Sequence, residues 1–170
     1  KDKAVALQDE WKSFTGSFLD ESFLIDFLTP EEYFDFVAGL NKMSSEELTV
    51  FLQKFEGFFN DEILHKRKYI RDMSKGNQKK IGLVGAMIGT PEILILDEPF
   101  ANLDPSSQIK LKQILVAEQQ QNGTTLLLSS HDLNHITEIA ERIVVLEKGD
   151  VVKDIATSET ILSELESYFA

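Results

Sequence analysis

The stretch "ILILDEPFANLD", Ile93 to Asp104, runs four apolar residues straight into two acids, Asp97 and Glu98, and adds a third, Asp104, shortly after. Carboxylates are among the side chains that cost most to bury unpaired. The run therefore reads as a covered strand that delivers its acids to an edge where a cation or water meets them. Two adjacent like charges want a metal ion or a proton between them. Magnesium suits such a place because it combines carboxylate ligands with phosphate oxygens and water. One acid holding hydrated magnesium while its neighbour orients an attacking water is a division of labour that nucleotide hydrolysis can use.

Outward from this stretch, "EILILDE", "TTLLLSS" and "RIVVLEKG" are short continuous apolar runs, the mark of strands covered on both faces in a parallel sheet. Between them "PSSQIKLKQILVAEQQQ" and "LNHITEIAE" read as helices, giving strand, helix, strand, helix, strand and hence an α/β core. "VVLEKGDVVKD" reads as a final strand turning at Gly149 and Asp150 into a short return strand, and "SETILSELESYF" as a closing amphipathic helix. Ligands of such sheets gather at the carboxyl ends of the strands. That is where Asp97 and Glu98 fall, and "LLLSSHDL" brings His131 to the same edge, directly after Ser129 and Ser130. His135, one helical turn on, is expected on the helix surface.

Upstream, "MSKGNQKKIGLVGAMIGTPE" joins a glycine turn to a helix. Two readings stay open there. Ser74 is an ordinary N-cap and Gly82, Gly85 and Gly89 allow tight packing, or the free N–H groups of the helix start bind phosphate, with Gly76 letting the backbone come close. Asp104 has the same double reading, as a cap or as a functional acid. Further upstream the text is helical: "TPEEYFDFVAGL" opens on Thr29 as N-cap, with Pro30 in the first turn and Glu31 and Glu32 against the dipole. Its Tyr33, Phe34, Phe36, Val37 and Leu40 are expected on one broad face. "MSSEELTVFLQKFEGFF" repeats the grammar, with Ser44 or Ser45 as cap. The chain's 12 phenylalanines, most of them before residue 60, read as the glue of this helical lobe.

The 170 residues carry a net charge of −12, which argues against a general nucleic-acid binder, whose affinity comes from lysine and arginine on phosphates. Against that average, "HKRKYIRDMSKGNQKK" holds seven of the 17 basic residues with Asp72 as its single acid. It reads as a solvated helix face or as a sign of an anion site nearby. Cysteine is absent, so there is no disulfide framework and no thiolate metal site. The apolar runs fall far short of the roughly 20 residues of a membrane span, and the first residues show no apolar signal core. A cytoplasmic protein without direct membrane insertion is expected.

Taken together the motifs resemble the nucleotide-binding subunits of ABC transporters. "MSKGNQ" looks like the signature usually written LSGGQ, "ILILDEP" like Walker B with its catalytic glutamate, "ANLD" like the D-loop and "SSHD" like the switch histidine. The resemblance is tightest over residues 73–153. It implies an α/β P-loop NTPase (RecA-like) parallel-sheet core, incomplete on its N-terminal side, with an ABC α-helical subdomain. The implied divisions are 1–20, the end of the N-terminal core up to the Q-loop; 21–72, the helical subdomain; 73–153, the core half; and 154–170, a C-terminal helix.

The implied activity is ATP hydrolysis with ATP and Mg2+, in a head-to-tail dimer with a second nucleotide-binding subunit and beside a transmembrane permease subunit, peripheral on the cytoplasmic face of the membrane. By that resemblance Asp97 holds magnesium through water, Glu98 polarises the attacking water and His131 contacts the γ-phosphate. Ser74, Lys75, Gly76 and Asn77 meet the partner's ATP, Asp104 lies at the dimer interface, and Asp20 stands at the metal-binding Q-loop position. Lys75 and Asn77 replace the glycine and glutamine of the usual signature. No G-x-x-x-x-G-K-[ST] phosphate loop occurs in the sequence. A truncated subunit, inactive alone, is therefore expected. The "LTPEEYFDFVAGL" segment and tolerant signature look most like exporter-type subunits. The alternatives are a soluble ABC ATPase of translation or DNA maintenance, and a catalytically silent binding module.

Overall fold

A computed structural model describes residues 5–158 and 160–169; residues 1–4 of the expected N-terminal segment, and Glu159 and Ala170 of the closing segment, lie outside them. The chain divides into two units, Lys1–Ser129 and Ser130–Ala170. The division falls inside the segment 73–153.

The first unit is built on three parallel strands, β1 (Thr15–Phe18), β2 (Ile93–Leu96) and β3 (Thr125–Leu128), in the order β1-β2-β3. Register runs Thr15 to Ile93 to Thr125, so the strands end level at Phe18, Leu96 and Leu128. Between β1 and β2 come α1 (Pro30–Leu40), α2 (Ser45–Gln53), α3 (Glu56–Phe59) and α4 (Lys75–Met87); α5 (Pro105–Asn122) joins β2 to β3.

The helix starts follow their sequence signals. Thr29 with Glu32, and Ser44 with Glu47, form reciprocal capping boxes. Asp104 caps α5 ahead of Pro105, and Gly123 ends that helix in the left-handed conformation its backbone allows. Phe34, Phe51, Phe55, Phe58 and Phe59 are buried together in the helical lobe, with ring centroids 5.0–6.2 Å apart in the Phe51–Phe55, Phe34–Phe59 and Phe55–Phe59 pairs. Each contributes about 1.5–3 kcal/mol by leaving water. The buried stripe of α1 is narrower than its composition suggests. Pro30, Phe34 and Ala38 are buried at four-residue spacing, whereas Phe36 and Leu40 stay exposed, as do Phe23 and Phe27.

From Gln78 to Met87 every residue of α4 is buried. Two glycines make that burial possible: a Cβ on Gly82 would lie 2.0 Å from the Phe18 ring, and one on Gly85 2.7 Å from the Tyr33 ring. The tight-packing reading of these glycines holds.

In the second unit, α6 (Leu133–Ile139), β4 (Arg142–Glu147), β5 (Asp150–Ala156) and α7 (Ile161–Phe169) enclose a small core of Ile143, Val145, Ile161 and Leu165. This corrects one expectation. "RIVVLE" forms an antiparallel hairpin with β5 rather than a parallel strand beside β3. Ile143 and Val145 are buried while Val144 and Leu146 are exposed, so the run is covered on one face only, and an apolar run alone cannot distinguish one covered face from two. The turn is Lys148–Gly149, both at positive φ, as two-residue hairpins favour. Arg142 clamps Asp154 through Nε and a second nitrogen at 2.7 and 2.5 Å. That clamp holds the Asp154 carboxyl below its usual range.

Candidate functional site

The parallel register continues one residue past the strands. Asp97 N–H donates to the Phe18 carbonyl and Ser129 N–H to the Leu96 carbonyl, each at 3.0 Å. Asp97, Glu98 and Ser129 thus stand together at the carboxyl edge of the sheet, as the sequence reading required. Asp97 is exposed and Glu98 half-buried. The Ser129 hydroxyl donates to Asp97 Oδ1 and accepts from the Glu98 N–H at 3.0 Å. Glu98 adopts φ 44°, a left-handed conformation uncommon outside glycine. Phe100 and Leu103 bury the following loop in the core.

Ser74 caps α4 by accepting from the Asn77 N–H at 3.2 Å. A cleft of about 270 Å³ opens at this helix start, lined by Ser74, Gly76 and Asn77 on one side and Asn102, Leu103 and Asp104 on the other. Gly76 keeps this approach close, because a Cβ there would come 3.0 Å from the Asn102 carbonyl oxygen, tighter than an ordinary contact. The two segments singled out separately in the sequence therefore form one site. Asp104 accepts from the Ser107 hydroxyl at 2.5 Å and the Ser107 N–H at 3.0 Å, which hold its carboxyl below the ordinary range. Both of its readings remain compatible, since it caps α5 and also faces the cleft.

Lys75 does not join this group. Its ammonium donates to Gln78 Oε1 at 3.2 Å, and it lines a second cleft of about 290 Å³ with Asp20, Glu21 and Arg71. Successive helix residues point 100° apart, so a lysine between Ser74 and Gly76 faces elsewhere. Asp20 is exposed and accepts from the Ser22 N–H at 2.6 Å. Hydrogen bonding by Ser22 lowers its carboxyl pKa, helped by the charges of Lys75 and Lys79.

His131 belongs to the second unit and is exposed. His135 was expected on the surface, but its side chain is only 15% exposed and its Nε2 lies 3.7 Å from Asp132 Oδ2. Asp132 is the N-cap of α6 and accepts from the Asn134 N–H.

The cationic run splits in two. Arg67, Lys68, Arg71 and Lys75 are exposed, whereas Lys79 and Lys80 are each 4% exposed. Lys80 lines the first cleft with its Nζ 5.5 Å from the Phe58 ring centroid, and burial lowers its pKa. Lys79 Nζ donates to the Glu98 carbonyl at 2.9 Å and lies 3.7 Å from Glu21 Oε1. Gln78 donates to the carbonyls of Ile70, Met73 and Arg71 at 3.0–3.4 Å, fixing the approach to Ser74. Sequence reasoning missed Lys79 and Gln78. The available signal was a polar triplet, Gln78-Lys79-Lys80, opening an otherwise apolar and glycine-rich helix.

Among the described residues no group of three or more His, Cys, Asp or Glu could hold a metal ion, and no helix is long and apolar enough to cross a membrane.

A parallel sheet with paired acids at its carboxyl edge, beside a capped helix start, is a fold shared with solved ABC ATPases and consistent with a P-loop NTPase core. The chain belongs to the family described as "AAA domain, putative AbiEii toxin, Type IV TA system", whose profile matches residues 6–137, and it is a homologue of ABC transporter ATP-binding proteins. It is 36% identical over 117 residues to the uncharacterised ABC transporter ATP-binding protein YhaQ of Bacillus subtilis, covering 68% of this chain and 37% of YhaQ. A solved ATP-binding subunit of an ABC transporter shares the fold with a TM-score of 0.75 at 24% identity, over 93% of this chain and 63% of that one. The ATP-binding cassette MJ0796, dimeric and bound to ADP and Pi, shares it with a TM-score of 0.70 at 24% identity, over 84% and 62%. The chain spans less than half the length of curated relatives it matches, 37%, 44% and 43% of three of them.

Proposed function

We propose that this chain supplies the signature, Walker B and D-loop half of an ATP-hydrolysing subunit that drives an ABC transporter. The observation that carries this reading is the cleft between Ser74, Gly76 and Asn77 and the loop of Asn102 and Asp104, in a chain whose Asp97 and Glu98 stand at the sheet edge. In this reading the start of α4 receives the terminal phosphate of an ATP held by a second copy, and Ser74 and Gly76 contact it. Asp104 lies where the two copies meet. The dimeric MJ0796 cassette with ADP and Pi supports the arrangement.

Magnesium chemistry is proposed on the same footing. With no three-residue cage among the described residues, a metal is held by one carboxylate, Asp97, together with phosphate and water. Asp97 fits that role because it is exposed and its orientation is fixed by Ser129. Glu98 polarises the attacking water, and His131 reaches the γ-phosphate. Asp20 stands at the Q-loop position, with its carboxyl held ionised by Ser22. Residues 21–72 form the helical subdomain that meets a permease, 1–20 and 73–153 belong to the nucleotide-binding core, and 154–170 close the chain. The subunit sits at the cytoplasmic face of the membrane. The "MSKGNQ" signature and the "LTPEEYFDFVAGL" helix support an exporter.

The 170 residues contain no phosphate loop. Positioning and electrostatics supply nearly all phosphoryl-transfer catalysis, so these residues alone are expected not to turn over ATP. The test is ATP binding and magnesium-dependent hydrolysis by this chain and by the product of the full coding sequence. Turnover by the longer product only, with His131→Ala slowing it while ATP stays bound, supports the proposal. A longer product that neither binds nor hydrolyses ATP contradicts it and favours a silent binding module.

A further inference from the structure

The Glu98 peptide is gripped on both sides. Its N–H donates to the Ser129 hydroxyl at 3.0 Å, and its carbonyl accepts from the Lys79 ammonium at 2.9 Å and from the Ala101 N–H at 3.2 Å. The grip matters because Glu98 holds φ 44°, a conformation that costs a residue with a Cβ about 1–2 kcal/mol unless its surroundings enforce it. A buried ammonium is a strong enforcer, since hydrogen bonds from charged donors are roughly twice as strong as neutral ones. Lys79 is 5% exposed in its side chain, and the carboxylate beside it, Glu21, is 14% exposed with Oε1 at 3.7 Å. That oxygen is buried and makes no hydrogen bond, so Lys79 is the charge that offsets it.

Lys79 therefore bridges two loops that leave the same sheet edge. One follows β1 and carries Asp20 and Glu21; the other follows β2 and carries Asp97 and Glu98. We infer that Lys79 is a positioning residue, which holds the Glu98 backbone in its left-handed conformation and ties the Asp20–Glu21 segment to it. The inference rests on the ATPase reading for its kinetic consequence only. A ligand or partner that moves the Asp20–Glu21 segment is then felt at Glu98 through a single ammonium group.

The test uses the product of the full coding sequence. Lys79→Met removes the charge and keeps the stem. Lys79→Met combined with Glu21→Gln removes both members of the buried pair, so no lone charge is left to unfold the protein. In both variants kcat for ATP is expected to fall about tenfold, with KM within about twofold. Amide exchange at Glu98 and Ala101 is expected to quicken about tenfold, and Lys79→Arg to restore most of both. A merely structural lysine predicts the reverse for the double variant, namely recovery of turnover and protection together with stability. Wild-type turnover and unchanged exchange at Glu98 and Ala101 in that variant overturn the inference. Absence of turnover in the wild type would overturn the ATPase reading instead, while the exchange measurement still decides the role of Lys79.

Discussion

Helices α4 and α5 begin on opposite sides of one cleft, and they begin differently. Ser74 caps α4 with a neutral hydroxyl, and no acid follows in its first turn. Asp104 caps α5 with a carboxylate held ionised by Ser107. A helix start carries roughly half a positive charge. Asp104 neutralises that charge on α5, whereas on α4 nothing in its own first turn does. α1 and α2 also carry acids in their first turns. Of these four helices, α4 is the one whose start remains available to an anion from elsewhere, and the cap of α5 both fixes the facing loop and keeps it from competing. Asp104 and Glu62 nevertheless line the cleft, with Lys80 between opposing charges, so the site suits an anion that brings its own cation.

The largest effect expected is from Glu98→Gln in the full-length product, where turnover should fall on the order of 10²- to 10⁴-fold with ATP binding retained; single-turnover kinetics beside a binding titration reads both. Next is Gly82→Ala. Its Cβ meets the Phe18 ring at 2.0 Å, so overpacking should destabilise the fold by about 1–3 kcal/mol, displacing α4 and its cap. Urea unfolding checks this, and an unchanged midpoint would show that α4 is not fixed by this contact.

A smaller effect is expected from Asp104→Ala, about 1 kcal/mol from loss of the α5 cap. Its pH dependence has a definite sign. The folded carboxyl titrates below its unfolded value of about 3.9, so its stabilisation is complete above that value and is lost as pH falls through the folded one. The difference between wild type and Asp104→Ala should therefore shrink in acid.

Much of this was legible in the sequence. β2 and its acids, the capping boxes at Thr29 and Ser44, and the caps Ser74 and Asp104 are written in local signals, because each depends on residues within a turn or a strand of one another. The rest depends on distant partners. Lys79 and Lys80 sat in a cationic run that reads as solvated, yet both are buried, Lys79 beside Glu21 and the Glu98 carbonyl and Lys80 beside the Phe58 ring. Phe36 and Leu40 share α1 with Phe34 but lie off its buried stripe. The return strand after "RIVVLE" was legible from its glycine turn, but the expected parallel pairing was not found, because apolar content does not say how many faces are covered. The Gly76–Asn102 approach, which turns two motifs into one cleft, joins residues far apart in the chain and has no local signature.

On the proposed reading the start of α4, capped by Ser74 but not neutralised by an acid in its first turn, receives the phosphates of a second copy's nucleotide. Ser74→Asp tests it most directly, because aspartate caps helices as well as serine yet places a negative charge at that start. Measured by light scattering in the full-length Glu98→Gln background, ATP should drive dimerisation with Ser74 in place, whereas the Ser74→Asp form should bind ATP, melt at no lower a temperature and stay monomeric. Equal ATP-driven dimerisation of the two forms would contradict the account.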